Sequence, residues 1–303
     1  MKFGLSLFTT DTSARPDEAA AATEAAGFDS FWVSEHSHIP TDTDWPFGGP
    51  IPRDYSSMLD PFVSLTAAAM ATRSIRLGTA ICLVTQRDPV NCAKSVSSLD
   101  LLSGGRFEFG IGAGWNESEM RNHRTAPETR FRLMRERVET MRALWSNDVA
   151  EYHGRMVDLT PSWQWPKPVQ KNGPPVHVAG GGPNVLQRVI DYGDGWMPSV
   201  VPAEVPGMKG RVTPLADLNT LILELRKKAE AAGKTMPKLV ITGIGLDAAV
   251  YQELLRLGAD RLILRLPSLP MPEVRKAIDA HVAAVTAVGG KLDGVAGSAV
   301  KRV

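Results

Sequence analysis

The chain has no excess of charge of either sign: 34 Lys and Arg face 33 Asp and Glu, a net charge of +1 over 303 residues. That balance excludes the basic footprint of a nucleic-acid binder or of a protein held on an anionic membrane, so neither partner is expected. Cysteine is scarce. The two present, Cys82 and Cys92, make neither a disulfide framework nor a CxxC metal clip, which fits a reducing compartment. No apolar run approaches the length of a membrane span, and Met1–Phe8 is too short for a signal-peptide core, so a cytoplasmic protein is expected. There is no GxGxxG, which argues against a Rossmann nucleotide site. What remains is ordinary globular composition, 43% hydrophobic and 22% charged, suited to chemistry on a small-molecule substrate.

Short apolar runs alternate with helical patterns. Strands are expected at Phe3–Phe8, Phe28–Val33, Ile75–Leu83, Arg106–Ile111, Val176–Ala179, Gly195–Pro198, Leu239–Gly243 and Arg261–Leu266. Helices are expected at Pro16–Ala26, from Asp60 to Thr72, after Asp88-Pro89, at Glu128–Trp145, Pro183–Tyr192, Leu215–Ala232, Ala248–Leu257 and Pro272–Val288. Eight strands with interleaved helices predict a (β/α)8 TIM barrel, with an open doubly wound sheet as the alternative; Gly195–Pro198 is the weakest strand. A single domain is expected over residues 1–288, with an insertion near 149–175 that contains a hairpin, and a flexible tail over 289–303. The long stretch from Ser34 to Asp60 reads as a functional loop.

In such a barrel the loops leaving the C-terminal ends of the strands carry the chemistry. The second strand then delivers Glu35, His36 and His38, the third Thr79 to Thr85, the fourth Ala113, Gly114 and Trp115, and the fifth Gly180, Gly181, Gly182 and Asn184. Three glycines before a helix start suit a phosphate, because bare backbone N–H groups and a positive dipole end can face it; a plain tight turn would need only one. The Glu35–His38 cluster suits proton transfer better than a metal, since the other histidines, 123, 153, 177 and 281, fall at no obvious loop position. Trp115 either packs on a bound ring or simply closes the barrel rim. The arginines between 121 and 137 alternate with glutamates and read mostly as a solvated helix face.

Several segments resemble the bacterial luciferase-like flavin and deazaflavin oxidoreductase superfamily, above all its F420-dependent branch. They are Phe28–His36 (FDSFWVSEH), Leu77–Ala80 (LGTA) with Gln86–Pro89 (QRDP), Leu99–Arg106 (LDLLSGGR), Gly110–Glu117 (GIGAGWNE), Ala179–Pro183 (AGGGP) and Tyr192–Trp196 (YGDGW). The resemblance implies an oxidoreductase on a β/α barrel, commonly a homodimer, that binds coenzyme F420 or FMN at the top of the barrel. It implies that Glu35 lies beside the ring and that His36 donates or accepts the proton. It also implies a bulge with a non-prolyl cis peptide after the third strand, at Ala80–Ile81, backing the ring next to Thr79. Ala113, Gly114 and Ser118 match positions lining the cofactor, and Gly181, Gly182, Asn184 and Val185 match the phosphate turn. One departure stands out: Trp115 occupies the position of a catalytic glutamate in the family's sugar-phosphate dehydrogenases, with Glu117 and Glu119 nearby but out of alignment. The loop holding Trp45, Pro46, Phe47, Pro50, Ile51 and Pro52 points instead to a more apolar substrate. The expected activity is hydride transfer between F420 and a small organic molecule. The alternatives are an FMN-dependent monooxygenase served by a separate flavin reductase, and a non-catalytic flavin-binding protein.

Overall fold

Apolar runs framed by helix-start signals become the strands of one closed sheet. The computed structural model describes residues 1–46, 48–203, 210–245 and 247–293. In chain order these form β1 (Lys2–Leu7), α1 (Pro16–Ala25), β2 (Ser30–Val33), α2 (Arg53–Ser56), α3 (Pro61–Ala71), β3 (Arg76–Leu83), α4 (Pro89–Leu102) and β4 (Phe107–Gly112). Next come α5 (Glu117–Asn122), α6 (Arg130–Ser146), β5 (Val149–His153), β6 (Asp158–Trp163), β7 (Val176–Ala179), α7 (Val185–Tyr192) and β8 (Gly195–Met197). The rest are β9 (Val200–Val201), β10 (Thr213–Pro214), α8 (Leu215–Ala231), β11 (Lys238–Ile244), α9 (Ala248–Arg256), β12 (Arg261–Arg265) and α10 (Met271–Ala287).

Eight parallel strands close in the order β1-β12-β11-β8-β7-β4-β3-β2. The short strand β8 completes the ring: it pairs with β7 over His177–Ala179 and with β11 at Lys238 and Leu239, which excludes the open sheet. In the excursion near 149–175, β5 and β6 make an antiparallel hairpin. Asp60 and Asp88 cap α3 and α4 through their side chains, each followed by a proline in the first helical turn, as the Asp-Pro pairs predict.

The structure departs from the sequence-based expectation at several points. The stretch 34–60 is not all loop, because α2 lies within it. A six-residue helix, α5, follows the fourth strand; it is too short to show periodicity. Strands β9 and β10 form a two-residue parallel pair, also too short to read from sequence. Helix α7 starts at Val185 rather than Pro183, after a turn closed by the Val185 amide on the Gly182 carbonyl at 3.0 Å. Phe47 and residues 294–303 of the expected tail lie outside the described residues.

The interior has two layers. The larger packs the outer faces of the strands against the helices. The smaller fills the barrel itself with Trp32, Met197, Val240 and Ile263, and the half-buried Ala80, Ile81 and Ala179 rest on it. Trp32 fits because glycine faces it: a Cβ at Gly78 would stand 2.1 Å from the indole Cε3. Gly78→Ala should therefore cost about 1–3 kcal/mol, as overpacking does, and a urea midpoint unchanged from the parent would show that the ring has room to move.

The opposite end of the barrel is plugged by charge. Glu108 (β4) accepts from Arg261 Nη1 and His177 Nε2, each at 2.7 Å, and pairs with Arg76. Arg261 also reaches Asp29 at 2.7 Å. Burial works to raise the Glu108 carboxyl, but His177, Arg261 and Arg76 hold it well below the usual carboxylate range.

Candidate active site

At the C-terminal end of β2 the chain runs on through Ser34, Glu35 and His36, whose side chains meet different partners. Ser34 Oγ donates to the Ala80 carbonyl at 2.7 Å, tying this run to the end of β3. There β3 slips register against β4 between Thr79 and Cys82, and the Ala80–Ile81 peptide is cis, at the position the resemblance implies. Ala80 and Ile81 thus become an apolar floor over the barrel interior, continued by Ala179. Gly112 keeps the floor open, since a Cβ there would meet Ile81 Cδ1 at 2.7 Å. Cys82 and Cys92 are both free and buried.

Glu35 and His36 are neighbours in sequence but serve different surroundings. Glu35 Oε2 accepts from the Leu83 amide and Oε1 from Arg87 Nε, both at 2.6 Å, and Arg87 continues to Asp60 at 2.6 Å. Both carboxylate oxygens are engaged, so Glu35 braces the end of the bulged strand. Thr79 is likewise committed: it is fully buried and its hydroxyl donates to the Gly110 carbonyl at 2.7 Å.

His36, nearly buried, meets Glu119 of α5: the Nδ1–Oε2 distance is 2.8 Å, and Glu119 itself is fully buried. On its other side Trp115 Nε1 lies 3.1 Å from His36 Nε2. An indole N–H can only donate, so Nε2 accepts and Nδ1 carries the proton given to Glu119. A carboxylate behind Nδ1–H fixes the tautomer whose Nε2 lone pair is free to accept a proton. Burial works to raise the Glu119 carboxyl, but the His36 bond and the Ser37 amide outweigh it and hold the group below its usual range. The sequence places Glu119 near the site but gives it no role. A further signal is Asn116, whose side chain accepts from the Glu119 amide at 3.2 Å and caps the helix that delivers it.

Aromatic rings wall the space above. Trp45 packs edge-on against Tyr55 at 4.8 Å and against Trp115 at 5.5 Å, and His36 lies 5.6 Å from both Tyr55 and Trp115. Arg211 stands over Trp115 at 6.0 Å. Gly114 adopts φ +82° and would set a Cβ within 3.2–3.4 Å of Met120, Leu83 and Gln86, so a side chain there would be strained and tightly packed. Ala113 is buried beside it with its carbonyl accepting from Thr85 Oγ1 at 3.0 Å, while Ser118 is half-buried in the first turn of α5. The Gln86 amide is buried near Gly114, and its side chain helps hold the Glu119 carboxyl below its usual range.

The glycine turn lies across the barrel mouth, after β7. Gly180 has φ +122°, and the Gly181 amide donates to the Gly210 carbonyl at 3.3 Å. A Cβ on Gly181 would stand 2.7 Å from the Val212 carbonyl, so the 210–213 segment packs against bare backbone here. Asn184 is exposed and Val185, the first helical residue, is buried. On α7, Arg188 lies 3.9 Å over the Phe131 ring, which it shares with Arg130 at 4.8 Å.

Two expectations need correction. His123 does join the loop cluster, its Nε2 lying 2.7 Å from Ser37 Oγ. Arg137 does not belong to a solvated face: it turns inward and donates to the carbonyls of Val84 and Arg87 at 2.8 and 2.6 Å. Among the described residues no group of three or more His, Cys, Asp or Glu is arranged to hold a metal ion, and no helix is long and apolar enough to cross a membrane.

Residues 1–244 match the family model described as luciferase-like monooxygenase. The chain belongs to that family. Among its relatives is an uncharacterized protein of Mycobacterium tuberculosis, 43% identical over 202 residues, covering 65% of this chain and 72% of the relative. An F420-dependent glucose-6-phosphate dehydrogenase of Kineococcus radiotolerans is 31% identical over 227 residues, covering 71% of this chain and 58% of the relative. A solved monooxygenase from Streptomyces bottropensis has the same fold with a TM-score of 0.76 at 19% identity, covering 95% of this chain and 99% of that one. The family member described here therefore carries the luciferase-like barrel, with a His–Glu pair at its mouth.

Proposed function

We propose that this family member moves a hydride between coenzyme F420 and a small organic substrate, with His36 as the proton donor or acceptor. The observation that carries this reading is the buried His36–Glu119 pair, whose Nε2 accepts from the Trp115 indole within a group of aromatic rings at the barrel mouth. The residues fit a flat ring with an anionic tail. Ala80 and Ile81 offer the floor, Ala113 and Gly114 a close-lying wall, and Trp115 and Ser118 the rim. In the turn at Gly181, Gly182, Asn184 and Val185, the Gly181 and Val185 amides are engaged by the Gly210 and Gly182 carbonyls, which leaves Gly182 and Asn184 as the backbone for a phosphate. Arg188, whose Nε has no hydrogen-bond partner among the described residues, adds positive charge on the same helix. Coenzyme F420 is favoured over FMN by the named glucose-6-phosphate dehydrogenase relative.

When bound, the deazaflavin would accept or deliver the hydride. The chain does the rest. His36 exchanges a proton at Nε2, Glu119 orients the ring and stabilises its charged form, and Glu35 holds the floor through Leu83 and Arg87. Trp45, Tyr55 and Trp115 keep water away and favour a substrate more apolar than a sugar phosphate.

The test is a fluorescence titration of the purified protein with F420 and with FMN. Saturable F420 binding is expected. Tight FMN binding without F420 binding would overturn the reading in favour of a reduced-flavin monooxygenase with a partner reductase. Binding of neither would favour a protein without chemistry.

We further propose a homodimer through α3 and α4, where Val63, Met70, Leu101 and Leu102 expose 69%, 71%, 49% and 56% of their surface. Met70→Glu should convert the assembly to monomers, read by light scattering on a sizing column; a dimer of unchanged stability would rule out this face.

A further inference from the structure

Among the described residues, Ser37 links the buried His36–Glu119 pair to exposed groups. Glu119 is fully buried, and besides His36 its carboxylate meets the Ser37 amide at 3.0 Å and the Ser37 hydroxyl at 3.3 Å. Ser37 is exposed, and two imidazoles converge on its hydroxyl: His38 Nδ1 at 2.8 Å and His123 Nε2 at 2.7 Å. Asn122 Nδ2 donates to His38 Nε2 at 2.9 Å, so His38 carries its proton on Nδ1 and gives it to Ser37. That leaves the Ser37 proton two targets, Glu119 on the inside and His123 on the outside. A rotation of one hydroxyl reverses the direction of the chain.

We propose that Ser37 and His123 form the path by which the His36–Glu119 pair exchanges its proton with solvent while a ligand covers Nε2. This rests on His36 taking a proton from, or giving one to, the substrate. In the oxidising direction the substrate hydroxyl proton goes to Nε2, and the Nδ1 proton goes to Glu119 Oε2. After a half-turn of the carboxyl, Glu119 passes that proton to Ser37 Oγ, the Ser37 proton passes to His123 Nε2, and His123 releases its Nδ1 proton to water. One proton leaves the substrate and one reaches water; no electrons travel this way, because the hydride carries the pair to the cofactor. When product leaves, His36 gives its Nε2 proton to water while one proton returns from water through His123, Ser37 and Glu119 to Nδ1, so both imidazoles regain their resting tautomers. Burial, and then the neighbouring His38, lower the His123 imidazole below its usual range, outweighing Glu119 and Glu35, so the ring is neutral and able to accept.

The experiment needs no cofactor. In protein with labelled histidine, the His36 Nδ1–H resonance is assigned by its loss in His36→Gln, and its exchange with water is followed by saturation transfer. Ser37→Ala and His123→Ala should each slow that exchange by about tenfold or more, with free imidazole restoring it in His123→Ala. Ser37→Thr, which keeps a hydroxyl, should exchange like the parent. Unchanged exchange in Ser37→Ala, or equal slowing in Ser37→Thr, would overturn the path. A protein that binds neither F420 nor FMN would refute the proposed function and leave this measurement standing.

Discussion

His36→Ala is expected to lower turnover by about 10²–10⁴-fold, the range a positioned proton-transfer group contributes, while cofactor affinity stays close to that of the parent. The separation follows from geometry. His36 meets Glu119 and Trp115, whereas the floor and glycine turn assigned to the cofactor are built from β3, β4 and β7. Glu119→Gln should share much of the loss, because it keeps the shape of the pair but not the charge that stabilises a protonated ring. The check is kcat and kcat/KM beside a fluorescence Kd, with whichever cofactor the protein binds. Turnover unchanged in His36→Ala would remove the residue from the chemistry.

The second large effect lies at the other end of the barrel. Glu108→Ala is expected to cost about 3–5 kcal/mol, because it leaves a buried guanidinium without its partner. Glu108 is 5% exposed and joins Arg261, His177 and Arg76, so no water repays the loss. Chemical denaturation reads it directly; a loss below about 1 kcal/mol, the range of surface pairs, would mean that Asp29 alone neutralises Arg261. The same carboxylate sets an acid limit. Its pKa is lower folded than unfolded, so its stabilisation is complete above the unfolded value near 4.5 and declines as pH falls through the folded one. The parent should lose stability below that point more steeply than Glu108→Ala.

The barrel was legible because its strands are apolar runs and two of its helices open on Asp-Pro pairs, signals carried within a few residues. Even the three-residue β8 was readable, since Gly195 follows a complete helix and precedes another. The site was harder. Glu119 lies 83 residues from His36, on a six-residue helix, and only closure of the barrel brings them together. Glu35 and His36 are adjacent, yet their partners, Leu83 and Arg87 for one and Glu119 and Trp115 for the other, come together only in the folded chain. Tyr55 was hidden in a stretch that reads as loop, and Arg137 on a helix whose neighbours pair at the surface.

The Trp115 indole on His36 Nε2 sets a rule of admission for the pocket. A molecule that reaches this nitrogen replaces an existing hydrogen bond instead of making a first one. A hydroxyl-bearing guest exchanges like for like. One without a donor leaves both imidazole and indole unpaired, at about 1–3 kcal/mol for each group kept from water. The resting protein thus holds an internal surrogate for its guest, and affinity measures how far the guest improves on it.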